Sequence, residues 1–217
     1  MDEGLTQFNA AQGVAASEGF ANAEESSRRN YVEVARAGLE RPLMTHSDSF
    51  PSGSPAYGIA AYEKPAALMS AIRLALGDSV FQHRYRTYAN LWRYRHPQPE
   101  DFFNAFDGGE RRELAWFWRP WFSGTVTLDQ AIERVEGVAG DSLAVTIVNR
   151  GGAMPVRLAI VRGEGTSYVS RGGGEVGATS NGRVTIRIAG GAGVRRLMLD
   201  PGGQLPDVDR RNNSWIR

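Results

Sequence analysis

No cysteine occurs in the 217 residues, which removes disulfides, thiol nucleophiles and thiolate metal sites and leaves the redox compartment open. Histidine is scarce as well: His46, His83 and His96 lie 37 and 13 residues apart, so no pair has the i, i+4 spacing that sets two imidazoles on one helical face for zinc. No apolar run reaches the roughly 18 residues of a membrane span. The opening MDEGLTQF has neither the basic nor the apolar region of a signal peptide. An excess of one charge is also missing, because 25 Lys and Arg against 24 Asp and Glu leave a net charge of +1. That balance gives nucleic acid no basic footprint. Neither GxxxxGK[ST] nor GxSxG occurs, which argues against a phosphate-binding loop and a serine elbow.

What is present follows two building rules. Nine of the 26 glycines fall in residues 1 to 123 and seventeen after them, while four of the five tryptophans crowd between Trp92 and Trp121. In the first region, Glu24 to Glu40 reads as a helix stopped by Arg41-Pro42, and residues 43 to 58 as a Ser/Pro/Gly loop. Ala66, Leu68, Met69, Ile72, Leu74 and Leu76 form an apolar helical face that Gly77 should cap. Asp78 or Ser79 can cap the next helix, Val80 to Tyr94, which sets Phe81, Tyr85, Tyr88 and Trp92 on one face. Arg84, Arg86, Arg93 and Arg95 read as a solvated face, and the cluster of Tyr85, Tyr88, Trp92, Trp116, Trp118 and Trp121 reads as helix packing. A short helix through Phe106 ends at Gly108-Gly109, and Glu110 to Phe122 reads as another helix. Past Gly124 the period becomes two: Leu143, Val145, Ile147; Val156, Leu158, Ile160; Val184, Ile186, Ile188. Gly-Gly and Asn181-Gly182 turns punctuate these strands, as in an antiparallel sandwich.

Two segments carry the chemistry: Asp2-Glu3-Gly4-Leu5 followed by Phe8, and Ala56-Tyr57-Gly58-Ile59-Ala60-Ala61-Tyr62-Glu63-Lys64-Pro65. In order and spacing they resemble the aminopeptidase N family of zinc metallopeptidases (gluzincins). Pro99-Glu100-Asp101-Phe102 and Glu113-Leu114-Ala115-Trp116-Phe117 resemble the helices that close that family's catalytic domain. Leu199-Asp200-Pro201 and Asp209-Arg210-Arg211-Asn212-Asn213 are similar to parts of the β-sandwich that follows it.

The resemblance implies an α+β multidomain chain: residues 1–122 as the helical C-terminal portion of a metallopeptidase catalytic domain, and 123–217 as an immunoglobulin-like antiparallel β-sandwich. It makes Glu3 the carboxylate ligand of one zinc ion, Tyr62 the hydroxyl that donates to the oxyanion of the tetrahedral intermediate, and Tyr57 a nearby support. The substrate is then a peptide. The family's two histidines and its general base come from an HExxH helix that would lie before Met1, so the zinc site here is incomplete. The partner implied is that N-terminal half of the same protein, where any targeting signal would also lie. Asp2 stands where the family commonly has asparagine, and Pro65 where it often has glycine. The other reading of the same residues is a non-catalytic binding or scaffold module that keeps the fold.

Overall fold

The computed structural model describes residues 2–19, 24–109, 112–163, 165–179 and 181–217. They form two compact units, Met1–Thr125 and Val126–Arg217. The first is helical: α1 (Asp2–Glu18), α2 (Glu25–Arg36), α3 (Pro55–Gly58), α4 (Lys64–Leu76), α5 (Asp78–Trp92), α6 (Pro99–Asp107) and α7 (Ala115–Trp118).

Helix α4 is the hub. Ala66, Ala67, Leu68, Met69, Ala71 and Ile72 are all buried, so its first turns are enclosed on every side rather than on one face. It packs against α1, α2 and α5. Gly77, at φ 78°, ends it as the sequence predicts. Gly77 also stands at the N-cap of α5, which therefore starts at Asp78 without a side-chain cap. Helix α6 opens with a reciprocal box in which the Gln98 amide donates to Asp101 at 2.8 Å.

Of the aromatic cluster expected to pack between helices, Tyr88, Trp118 and Trp121 are buried and Tyr85, Trp92 and Trp116 are half-buried, and phenylalanines supply much of the core. Phe81, Phe102, Phe106, Phe117, Trp121 and Phe122 are buried, and the Phe102 and Phe106 rings lie 4.7 Å apart. Arg84 is not on a solvated face. Its guanidinium donates to the Phe106 carbonyl at 2.6 Å and pairs with Glu113 at 2.8 Å, and so ties α5 to the end of α6.

Three expected boundaries shift. Helix α2 stops at Arg36 instead of Glu40, because Gly38 turns the chain at φ 67° and Glu40 is drawn inward to a buried lysine. The loop 43–58 contains a 3-10 turn, Ser47–Ser49, and the short α3. The helix expected from Glu110 begins outside the described residues, and what is described is α7 continuing into a π turn, Arg119–Ser123.

Among its described residues the second unit holds seven strands in two antiparallel sheets, apart from one isolated parallel bridge. One sheet has the order β1 (Leu128–Val138), β2 (Ser142–Gly151), β5 (Arg183–Ala189). The other runs β4 (Gly165–Arg171), β3 (Val156–Arg162), β6 (Arg196–Leu199), β7 (Ser214–Ile216). Their inward residues meet in one apolar cluster: Leu143, Val145, Ile147, Ile186 and Ile188 from the first sheet, Leu158, Ile160, Leu197 and Leu199 from the second. Alternate residues pointing to opposite faces of each strand give that division. The chain is thus α+β, helices first and sheets after. Asp207 pins the last loop to β1, accepting from the Gln130 amide at 3.1 Å and from Asn213 at 3.0 Å. Burial raises its carboxyl pKa above the usual range despite those donors.

Candidate functional site

Glu3 occupies the first turn of α1 with Asp2, where carboxylates suit the positive end of the helix dipole. The next residue sets its position. Gly4 is buried against α4's start, and a Cβ built on it would lie 2.2 Å from Pro65 Cγ and 3.4 Å from the Ala61 carbonyl oxygen. Only a residue without a side chain lets the α1 backbone come this close to the Pro65 ring. One turn further on, Phe8 is buried edge-on against Phe81 at 5.9 Å, and Asn9 accepts from the Tyr85 hydroxyl at 2.8 Å. Helix α1 is therefore clamped along its first half.

The facing segment is a π turn, Ile59–Glu63, between α3 and α4. Pro65 explains it, since proline has no N–H for the Ala61 carbonyl and its ring crowds that carbonyl in an α-helix. The turn widens, and the Lys64 amide bonds the Ile59 carbonyl instead. In a regular helix, residues five apart point about 140° away from each other. An i to i+5 register brings them nearer one face. Tyr57 and Tyr62 are five apart and lie close enough to influence each other electrostatically.

The Tyr62 hydroxyl lies near enough to the Glu3 carboxylate for its charge and hydrogen bonding to shift the phenol. Its pKa is raised above the ordinary phenol value by desolvation first, then by the negative charge of Glu3 and that hydrogen bond. The phenol is therefore a proton donor throughout the neutral range. Tyr57 is exposed on the rim, its ring edge-on to Phe50 at 5.5 Å.

Behind Tyr62, the YEK lysine turns inward. Lys64 is fully buried, with its ammonium 3.1 Å from Glu40 Oε2, 3.1 Å from the Gly124 carbonyl oxygen and 5.5 Å from the centre of the Tyr31 ring. The Tyr31 phenol bonds Glu40, and burial pushes its pKa well above the usual value. Glu63 lies on the other side, its Oε1 accepting from Asn30 Nδ2 at 3.2 Å.

Metal chemistry needs a donor set. A catalytic zinc takes three protein ligands, and among the described residues no group of three or more His, Cys, Asp or Glu side chains is arranged to hold an ion. His46 caps the Ser47–Ser49 turn, while His83 and His96 are exposed on and beyond α5. Glu3 offers one carboxylate donor, and the described residues do not complete such a set.

The family model described as "Peptidase family M1 domain" matches residues 1–121. The chain belongs to peptidase family M1. This agrees with the aminopeptidase N-like resemblance of the DEGL and YEK segments, and members of the M1 family are generally zinc-dependent peptidases. No curated protein sequence matches the M1 chain. Among solved structures, Legionella pneumophila aminopeptidase A in complex with aspartic acid is similar, with a TM-score of 0.59 and 15% identity. The match covers 94% of this chain and 23% of that one, so the M1 chain spans about a quarter of its structural neighbour's length.

Three features escaped sequence reading: the Gly4–Pro65 contact, the Lys64–Glu40 pair and the Asn30–Glu63 bond. The lysine had a visible signal in its place two residues after Tyr62. The other two are contacts between residues 61 and 33 positions apart and have no local signature.

Alanine at Gly4 tests the clamp. Gly to Ala in a helix ordinarily stabilises by about 1 kcal/mol, and Gly13 of the same helix, with nothing within 4 Å of a built Cβ, should show that gain in thermal unfolding. Gly4→Ala should instead destabilise by about 1–3 kcal/mol through overpacking. Combining it with Pro65→Gly should recover most of the loss. An equal gain at both glycines would disprove the contact.

Proposed function

We propose that this chain is the C-terminal part of an aminopeptidase N-like zinc metallopeptidase, with residues 1–122 completing the catalytic domain and 123–217 forming an immunoglobulin-like sandwich. The observation that carries the reading is the pairing of Tyr62 with Glu3, delivered by two segments 59 residues apart in a chain of the M1 family. Glu3 would hold zinc together with two histidines from outside these 217 residues. Bound there, zinc supplies an acidified water and a polarised substrate carbonyl.

The chain's own residues then do three things. Glu3 contributes one negative ligand from a helix start that Gly4 locks in place. Tyr62, protonated at neutral pH, donates a hydrogen bond to the oxygen that becomes negative as the peptide carbonyl turns tetrahedral. Its electrostatic coupling to Glu3 supports this placement. Tyr57 stands beside Tyr62 and supports it from the rim.

Hydrolysis of aminoacyl and dipeptide substrates by the purified 217-residue protein, with and without added zinc, tests the division of labour. No turnover is expected, since one ligand and one oxyanion donor lack a general base. Zinc-dependent turnover would overturn the proposal that the site is shared. The same chain joined to an HExxH-bearing segment should bind one zinc and cleave peptides. If that protein binds no metal, the scaffold reading takes its place.

A further inference from the structure

A cleft of about 350 Å³ opens beside Tyr62. It is lined by Gln7, Asn30, Glu33, Ile59, Tyr62 and Glu63, among others. Gln7 lies one helical turn beyond Glu3 on the same face of α1, so the cleft adjoins the Glu3–Tyr62 pair. Its volume is at the small end of ligand sites and suits one side chain rather than a cofactor.

The charges are one-sided. Glu33 and Glu63 line the cleft, and among its described lining residues there is no lysine, arginine or histidine. Asn30 holds Glu63 by Oε1 at 3.2 Å, which fixes the carboxylate in place. Its other oxygen, Oε2, is buried with no hydrogen-bond partner among the described residues. Ile59 offers apolar surface of the kind that the methylene stem of a long cationic side chain covers.

Resting on the peptidase reading above, we infer that this cleft selects a positively charged side chain, of the lysine or arginine type, next to the scissile bond of the peptide. Glu33 meets the charge at the exposed rim, and Glu63, held by Asn30, adds a second negative charge at the wall. They are specificity residues: they touch the substrate side chain and take no part in bond breaking.

The test compares arginine with citrulline, which keeps the shape and loses the charge, on either side of the scissile bond in otherwise identical peptides. An exposed ion pair contributes at most about a five-fold gain, so two carboxylates should favour arginine in kcat/KM by roughly ten-fold at one position. In a Glu33→Gln, Glu63→Gln double variant of the zinc-loaded protein that carries this chain, the ratio should fall towards one. A merely structural role would lower both rates and keep the ratio. A ratio near one at both positions, or one that survives the double substitution, overturns the inference while the peptidase reading stands. If no peptide is cleaved, the peptidase reading fails by itself, and NMR titration of the 217-residue chain decides the cleft. Argininamide should then shift the Asn30 and Glu63 amides at lower concentration than citrullinamide, and equal responses would overturn the inference.

Discussion

Replacing Tyr62 with phenylalanine in the zinc-loaded protein is expected to lower kcat about 10²- to 10³-fold, the usual cost of losing one oxyanion donor. KM should change little. In the proposed reaction the phenol would face a neutral carbonyl in the ground state and a developing alkoxide in the transition state, so its removal should be felt in kcat. The ring itself stays, and phenylalanine keeps its packing in the π turn. Zinc content should be unchanged, since Glu3 is retained, and metal analysis of the variant separates a lost donor from a lost ion. Tyr57→Phe should have a much smaller effect, as its exposed ring lies on the rim. An unchanged kcat in the Tyr62 variant would remove this residue from the reaction.

The largest stability effect is expected at Lys64. Its side chain is completely buried and faces Glu40, itself 4% exposed. Methionine fills the same volume but leaves the buried Glu40 carboxylate without its counter-charge, with the Tyr31 phenol still beside it and Oε1 unpartnered. Breaking one side of a buried ion pair costs about 3–5 kcal/mol. Lys64→Met should therefore shift chemical unfolding to markedly lower denaturant at an unchanged slope. The double variant Lys64→Met, Glu40→Gln should lose less than the single one, because no charge is then stranded. If the single and double variants are equally unstable, the loss is one of packing and not of charge.

The pH dependence of that variant has a definite sign. Burial lowers the Lys64 pKa below 10.5, and Glu40 only partly opposes it. The unfolded chain therefore binds this proton more readily than the folded one in the interval below 10.5. The contribution of Lys64 to stability is largest above 10.5 and declines as pH falls through its folded value. Lys64→Met should abolish that slope, read as the difference between the two proteins' unfolding free energies across the alkaline range.

Local pattern and punctuation determined a good part of this protein. Helices α4, α5 and α6 are legible because their apolar residues recur at helical spacing and Gly77 and Gly108 stop the chain where no side chain obstructs a positive φ. Strands β2, β3 and β5 are legible because apolar residues recur at every second position on the face turned to the core, although the opposite face is exposed throughout only in β5 and is largely half-buried or buried in β2 and β3. Helix α1 was less legible, since only Gly4 and Phe8 of its 17 residues are buried and little periodicity results. Strand β4 is an exposed sheet edge, and β6 and β7 have four and three residues, too few to show a pattern. The family was readable from DEGL and YEK in their order, and so were Glu3, Tyr57 and Tyr62 as the residues to examine.

The meeting of those residues is another matter. Periodicity records which side of an element is buried, not what lies against it. That Glu3 faces Tyr62 depends on Gly4 nesting against Pro65. That Tyr57 and Tyr62 draw near one face depends on a π register set by the same proline. That Lys64 turns inward depends on Glu40, 24 residues earlier, leaving its helix to meet it. The sequence alone determined the elements and the chemical groups they carry, through dihedral preference and burial; close packing between distant segments decided which of those groups touch.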